Sequence, residues 1–233
     1  MSDKKAKKSK KVQEKPVKLV LETAEQSLEK ICELSKERAR KFNESVDVAI
    51  NLGIDPKQSN QAVKGSLVLP NGTGKKARVV VITSDDKNKE IAKKAGAIEV
   101  GFEDLLNKID QGFLDFDFCI ATPEVMPKIS KVAKKLGPRG MMPSAKNETV
   151  TEDVERVVGE FLKGKINFKN DKNGIVHCCI GKVDFEVKKL QENLDSLLKV
   201  VKSSKPEGSK GKYLKRLHLS STMGPGIEVT NLS

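Results

Sequence analysis

The chain has 233 residues, of which 37% are hydrophobic, and a formal net charge of +12. This composition can support packed cores, and no apolar run reaches the roughly 18 residues of a membrane helix, so we expect neither a wholly disordered chain nor a membrane protein. The cysteines form no C-x-x-C pair and no apolar stretch follows the Lys-rich start, which predicts reduced thiols in a cytoplasmic protein without a secretory signal.

The positive charge is concentrated at the two ends of the sequence. Residues 1–18 hold eight lysines against two acidic residues, and residues 161–233 hold fourteen basic against seven acidic residues, whereas residues 68–160 hold fifteen of each. We therefore expect a polyanionic partner that contacts the ends of the chain more than its middle. An anionic membrane is the competing partner, but no segment combines a lysine face with a broad face of Trp, Phe and Leu.

The first part of the chain has the pattern of a tail, a helix and two strands. Residues 1–20 form a basic tail with few apolar side chains, for which we expect disorder. Apolar positions recur on one side of a helix over residues 22–41, and strict alternation predicts a half-buried strand over residues 46–52. A polar loop then leads to a short strand at residues 66–69.

After residue 74 the pattern changes to short apolar strands without alternation, each followed by a helix. Such strands are typical of a sheet that is buried on both faces. The predicted strands are 78–83, 98–100 and 116–121, and the predicted helices are 88–95, 102–110 and 124–136. This spacing predicts a small parallel sheet with right-handed crossover connections.

The last third of the chain returns to segments that are typical of an antiparallel sheet. Asn173 and Gly174 lie between two strand patterns, and Asn-Gly is a strong signal for a β-hairpin turn. The predicted helices are 151–162 and 185–203, and the predicted strands are 166–169, 175–180, 213–221 and 227–230.

These patterns predict an α/β protein of two domains. Residues 21–67 and 161–233 would form an outer α+β domain, with a mostly antiparallel sheet made from both chain ends. Residues 68–160 would form an inserted three-layer α/β domain with a parallel sheet. The charge distribution then places the polyanion partner on the outer domain.

No motif in the sequence indicates catalysis, a metal or a cofactor. The segment 71–76 (NGTGKK) is similar to a phosphate loop but lacks the first Gly and the Ser or Thr that would hold magnesium. His177 lies beside Cys178, but adjacent strand residues point to opposite faces of a sheet. We therefore expect no enzyme and no small-molecule substrate. An α/β enzyme that uses residues 68–160 on a phosphorylated metabolite remains the alternative.

Structured RNA fits the basic surface better than single strands do. The chain has no Trp and only one Tyr, so stacking of bases on aromatic side chains is not the main mode of binding. Around residues 212–226 the sequence offers hydroxyls, flexible glycines and the cations Lys212, Lys215 and Arg216. Two further alternatives stay open: this segment is an ordinary edge strand, or the tail alone binds nucleic acid without specificity.

Eight segments together resemble the ribosomal L-one family, which forms the mobile E-site stalk of the large subunit. They occur in the order and spacing of that family between about residue 40 and residue 226. The segments are 41–44 (KFNE), 52–57 (LGIDPK), 69–75 (LPNGTGK), 121–124 (ATPE), 136–143 (LGPRGMMP), 168–172 (FKNDK), 205–208 (KPEG) and 221–225 (STMGP).

The resemblance implies two domains, of which the outer one binds 23S rRNA. Carried over position by position, the family's RNA contacts fall on Lys41, Phe42, Glu44, Asp171, Lys172, Thr222, Met223 and Gly224. Phe42 and Met223 would pack on ribose or base faces, Thr222 and the backbone of Gly224 would bond to 2′-OH or phosphate, and Lys172 would pair with phosphate.

The resemblance also implies partners and a location. The protein would be a structural constituent of the large ribosomal subunit in the cytoplasm and would meet deacylated tRNA leaving the E site. It would repress translation of its own operon by binding an mRNA that mimics the rRNA site. Arg139, in the rigid Gly- and Pro-containing turn 136–143, would make a secondary RNA contact or serve domain closure.

Two parts of the sequence depart from the family pattern. The family follows the Gly-Pro-Arg-Gly turn with Asn-Pro-Lys-x-Gly-Thr, whereas this chain has SAKNET at residues 144–149. Losing that Pro and Gly should loosen the loop. Residues 1–20 match nothing in the family pattern.

Overall fold

The protein was analysed as a computed structural model, which describes residues 19–230 except residues 22, 39, 207 and 210. Within this range the strands form a five-stranded, a two-stranded and a three-stranded sheet. The strands are β1 Leu19–Leu21, β2 Ser45–Leu52, β3 Lys64–Val68, β4 Val79–Ile82, β5 Glu99–Gly101, β6 Phe118–Ala121, β7 Lys165–Lys169, β8 Ile175–Lys182, β9 Leu214–Ser221 and β10 Ile227–Val229. The helices are α1 Ala24–Glu37, α2 Asp86–Ala95, α3 Glu103–Gln111, α4 Met126–Ile129, α5 Ala133–Leu136, α6 Val154–Leu162 and α7 Val187–Ser203.

The five-stranded sheet combines both ends of the chain in the order β1-β10-β9-β2-β8. All its pairs are antiparallel except β1 with β10. In β2 every second residue is buried, as the alternation predicted, because α1 and α7 cover one face of the sheet. We call the part built on this sheet the outer domain.

Strand β1 was not predicted, and it includes residues 19 and 20 of the expected tail. Its three apolar residues follow a lysine-rich stretch and are too few to give a periodic signal. They pair in parallel with β10, more than 200 residues later, as Leu19 opposite Ile227 demonstrates. The disorder expected for residues 1–18 concerns residues that lie outside the described range.

The three-stranded sheet is parallel, in the order β5-β4-β6, and is covered on both faces. All four residues of β4 are buried, as expected for a central strand of a three-layer α/β unit. Leu105, Ile109 and Ile129 of α3 and α4 pack on one face, whereas α2 and α6 pack on the other. We call this part the inserted domain. The fold is thus mixed α/β, with an antiparallel sheet and a separate parallel one, as predicted.

The single helix predicted over residues 124–136 is wrong. The segment alternates between α4, α5 and short 3₁₀ turns at Pro123–Val125 and Ser130–Val132. Pro127 has no N–H to donate within the helix, and the Ser130 hydroxyl donates locally to the Pro127 carbonyl at 2.5 Å. These features favour tight turns over a regular helix.

The hairpin predicted at Asn173–Gly174 is also only partly correct. The turn exists, with Gly174 at φ +74°, and the Asp171 N–H donates to the Ile175 carbonyl at 2.8 Å. The two flanking strands nevertheless separate: β7 pairs with β3, and β8 pairs with β2. Turn chemistry fixes the local reversal, but strand partners are set by packing elsewhere. We call the two-stranded sheet β3–β7 the ribbon.

The two connections between the domains cross each other at two glycines. A Cβ on Gly164 would lie 2.6 Å from the Gly72 Cα, so only glycine permits this approach. Asn193 of α7, which is fully buried, donates to the Gly72 and Ile180 carbonyls at 3.0 and 2.8 Å and accepts from the Asn71 N–H at 3.0 Å. Helix α7 therefore fixes the crossing point to the outer domain.

The sequence predicted reduced cysteines and no helix that spans a membrane. All four cysteines are free, and three of them are buried. Burial raises the pKa of the Cys119 and Cys178 thiols to about 12. In the described part of the chain, no helix is long and apolar enough to cross a membrane.

Candidate nucleic-acid interface

The structure divides the predicted RNA-contacting residues between opposite ends of the outer sheet. Strand β2 runs from Ser45 to Leu52, about 23 Å at the usual rise per strand residue. Phe42, Glu44 and the 222–224 turn lie at its Ser45 end, whereas the 171–174 turn lies at its Leu52 end. We call these the Ser45 end and the Leu52 end.

Backbone and side-chain bonds hold the Ser45 end together. The Thr222 N–H donates to the Ser45 carbonyl at 3.1 Å, and the Thr222 hydroxyl accepts from the Ser45 N–H at 3.0 Å. Two loops that are 177 residues apart in sequence are thereby joined. The Gly224 N–H donates to the Ser221 carbonyl at 3.1 Å, and a Cβ on Gly224 would lie 2.4 Å from the Ser221 Oγ. A larger residue at this position would therefore require the Ser221 hydroxyl to move.

Apolar side chains are exposed on this joined surface. Phe42 is 52% exposed and Met223 is 57% exposed. Large apolar groups that face water on adjoining loops are suited to packing against a ribose or a base face. Lys41, next to Phe42, is exposed and supplies a cation for phosphate.

Glu44 is the buried polar group of the Ser45 end. It is only 3% exposed, and its Oε1 accepts from the Arg40 Nε at 2.8 Å. Its Oε2 is buried without a hydrogen-bond partner among the described residues. A buried acceptor without a partner is unfavourable, so a donor from a ligand would stabilise it. Both residues line a cavity of about 600 Å³ that Phe42 also borders.

Sequence reasoning missed two cations that support this site. Arg40 orients Glu44, and the signal was its position four residues before that acid. The Lys182 Nζ donates to the Asn43 carbonyl at 3.3 Å and to the Ser45 hydroxyl at 3.0 Å, so it fixes the loop that presents Phe42. Lys182 is 139 residues from Asn43, and no local pattern could have revealed it.

At the Leu52 end, Asp171 and Lys172 have different environments. The Asp171 carboxylate accepts from the Ile175 and Asn173 N–H groups, both at 2.8 Å, and these bonds, with the Ile175 one the stronger, lower its pKa. Asp171 therefore shapes the turn, whereas Lys172 is exposed. The Leu52 N–H donates to the Gly174 carbonyl at 2.9 Å, which fixes the turn to β2.

Further lysines extend from the same end. The loops that carry them meet at Gly53, whose N–H donates to the Tyr213 carbonyl at 2.6 Å. A Cβ on Gly53 would lie 2.2 Å from the Lys212 carbonyl oxygen. Exposed lysines on these adjoining loops are Lys57, Lys172, Lys212 and Lys215. None of them makes an ion pair with a described residue, so their charges are free to attract phosphate.

Arg139 lies in the inserted domain and is separated in the sequence from the residues of the Ser45 end and of the Leu52 end. It follows α5 in a turn closed by the Met141 N–H, which donates to the Leu136 carbonyl at 3.1 Å, and by Gly140 at φ +70°. Its side chain is exposed. Its role in RNA contact or domain closure stays a prediction.

The loop 144–149 makes contacts that oppose the expected loosening. The Thr149 hydroxyl accepts from the Ser144 N–H at 2.8 Å. Glu148, at the position where the resemblance implies Gly, adopts φ +55° and its carboxylate lies 2.5 Å from the Lys165 Nζ. The segment is therefore tied both to itself and to β7.

The histidines lie on the face of the outer sheet opposite to its helices. His177 and His218 flank Ala49 from either side across three strands. Among the described residues, no three His, Cys, Asp or Glu side chains are placed to hold a metal ion.

Comparison with known proteins gives a consistent result. Residues 34–225 match the model of the family described as ribosomal protein L1p/L10e. The chain is 52% identical over 203 residues to the large ribosomal subunit protein uL1 of Coxiella burnetii, covering 87% of each chain. It is 51% identical to the protein of the same name from Maridesulfovibrio salexigens, covering 83% of this chain and 82% of that one, and 50% identical to the one from Colwellia psychrerythraea, covering 89% of each.

Proposed function

Because the chain belongs to the ribosomal protein L1p/L10e family, we propose that it binds 23S rRNA directly through the Ser45 end of its outer domain. It is a ribosomal protein of the large subunit rather than an enzyme, and its place is the ribosome in the cytoplasm. The observation that carries the proposed site is the buried Glu44 oxygen without a partner, beside exposed Phe42 and Met223.

The chemistry of this end suits a folded RNA. The Glu44 carboxylate can accept from a ribose hydroxyl or from an amino group on a base edge. Phe42 and Met223 can cover the adjacent ribose or base faces, and Lys41 can neutralise a phosphate. Because the polar acceptor is already oriented by Arg40, little reorganisation is needed on binding.

We further propose that the Leu52 end contacts a second RNA, the deacylated tRNA in the E site, so that Lys172, which the resemblance carried over as an rRNA contact, would face the tRNA instead. Lys57, Lys172, Lys212 and Lys215 provide unpaired charge there. This end lies about 23 Å from the Ser45 end along β2, so one surface can stay on rRNA while the other meets tRNA. Tyr213 beside them is buried, and exposed lysines without an exposed aromatic neighbour suit a backbone contact that a departing tRNA can release.

Repression of the protein's own operon would use the Ser45 end. An mRNA that reproduces the rRNA fold would present the same hydroxyl and phosphate positions and would compete with rRNA. This proposal rests on the family and on the recognition chemistry of that end.

Binding of a folded rRNA fragment by variants at the Ser45 end tests the proposal. Phe42→Ala and Met223→Ala should each weaken binding by about 1–3 kcal/mol, since each removes a specific contact. Met142→Ala is the matched control, because Met142 is also exposed, at 37%, but lies in the inserted domain. Unchanged affinity in both Ser45-end variants would show that the proposed site is wrong.

A further inference from the structure

The ribbon β3–β7 connects the two domains: its apolar residues pack with the core of the outer domain, whereas Lys165 makes ion pairs with the inserted domain. Phe168 of β7 is buried in the core of the outer domain. At the other end, Lys165 contacts the inserted domain through α6 and the loop before it. The contacts of Lys165 therefore bear on the orientation of the inserted domain relative to the ribbon.

Lys165 is a buried cation with two acidic partners. Its side chain is 2% exposed, and its Nζ lies 2.5 Å from the Glu148 Oε2 and 2.8 Å from the Glu160 Oε2. It also lies 5.5 Å from the centroid of the Phe161 ring. Burial by itself lowers the pKa of Lys165, but the bonds to the two carboxylates outweigh it, and the pKa is raised. We call Lys165, Glu148 and Glu160 the Lys165 cluster.

Glu148 occupies a backbone conformation that does not suit a glutamate. It is the only residue other than glycine with positive φ among the described residues, at +55°. A glycine would adopt this conformation without strain. The strained glutamate gains a short ion pair with Lys165 and accepts from the Ser66 hydroxyl of β3 at 3.4 Å. Both partners of Glu148, Lys165 and Ser66, lie in the ribbon.

The cluster lies next to the point where the domain connections cross. Lys165 directly follows Gly164, whose backbone contacts Gly72. A cavity of about 320 Å³ opens beside it, lined by Phe118 and Phe161 of the inserted domain and by Lys182 of the outer domain. Rotation about the glycine crossing would change the shape of this cavity and the distances within the cluster.

We propose that Glu148 and Lys165 are positioning residues that hold the inserted domain at a fixed orientation on the ribbon. The glycine crossing is the pivot, and the ion pair restrains rotation about it. This inference goes beyond the proposed function and does not depend on it.

The distance between two labels, one in each domain, tests the proposal. Spin labels at Lys94→Cys in α2 and Lys199→Cys in α7, with Cys179→Ser, report the domain orientation; both lysines are exposed. Glu148→Asn and Glu148→Gly both tolerate positive φ and both lack the charge. Each should shift the distance by on the order of 5 Å or add a second population, as hinged elements do.

Two further variants make the result decisive. Lys128→Met removes an exposed ion pair with Glu103 inside the inserted domain and should leave the distance unchanged. Lys165→Met should act as the Glu148 variants do, and if it fails to fold, the Glu148 pair decides. An unchanged distance in both Glu148 variants would overturn the proposal. The distance measurement does not depend on RNA affinity, so this outcome would leave the proposed function untouched.

Discussion

At the scale of single residues, the contacts at the two ends of β2 distinguish side chains that build the surface from those that are free to bind. Thr222 uses its hydroxyl on the Ser45 N–H, and Asp171 uses its carboxylate on its own turn. Phe42 and Met223 have apolar side chains that make no such hydrogen bonds, and both are exposed. A family motif marks all four residues equally, and only the contacts distinguish their roles.

Replacing Thr222 should therefore affect the stability of the protein. Thr222→Val leaves the Ser45 N–H without its side-chain acceptor and should lower the free energy of unfolding by about 1 kcal/mol. Urea denaturation measures this change. Thr222→Ser keeps the hydroxyl and should retain most of the stability. Equal stability in the valine and serine variants would contradict the assigned bond.

At the scale of elements, α7 both covers the outer sheet and holds the connection to the inserted domain. Leu190, Leu194 and Leu197 face the core, as the helical spacing predicted. Asn193 interrupts this apolar face, and its amide satisfies three backbone groups on two other segments. A polar residue at a fully buried helix position is justified by these bonds.

Asn193→Leu should destabilise the protein by about 2–4 kcal/mol, because the Gly72 and Ile180 carbonyls and the Asn71 N–H lose their partner. The midpoint of thermal or urea unfolding measures the loss. Asp195→Ala on the exposed side of the same helix is the control and should change stability by no more than about 0.5 kcal/mol. A similar effect of both changes would mean that the amide has no special role.

Sequence patterns predicted most of the elements, because apolar periodicity is local. They failed where the deciding contact is distant. Strand β1 depends on β10, and the strands beside Asn173–Gly174 separate because β3 and β2 take them as partners. The helix predicted over residues 124–136 failed for a local reason instead, because Pro127 lacks an N–H and the regular apolar spacing of the segment hid this. For the candidate site, motifs supplied the residues but not their division into two ends, which follows from the direction of β2.

At the scale of the whole molecule, the distribution of charge along the chain follows the division into two sheets. The balanced residues 68–160 contain the parallel sheet, and both groups of candidate RNA contacts lie in the outer domain. The proposed RNA contacts thus lie on the outer domain, and in our proposal the glycine crossing and the Lys165 cluster hold the inserted domain on it.

Deleting residues 1–18 distinguishes specific recognition from attraction by the basic tail. The segment holds eight lysines, so its loss should make the dependence of log K on log salt shallower while specific affinity for the folded rRNA fragment is kept. Binding measured across a salt series gives both quantities. If the deletion removed most of the specific binding, the tail rather than the Ser45 end would be the main site.

The central position of β2 has a consequence for synthesis of the chain. Its neighbours in the sheet are β8 and β9, and β8 begins 123 residues after β2 ends. At about 5–20 residues per second, the apolar face of β2 waits on the order of ten seconds for its partners. The inserted domain has its strands within one continuous stretch and can fold in that interval. The nascent outer domain is then the part that most needs protection from aggregation.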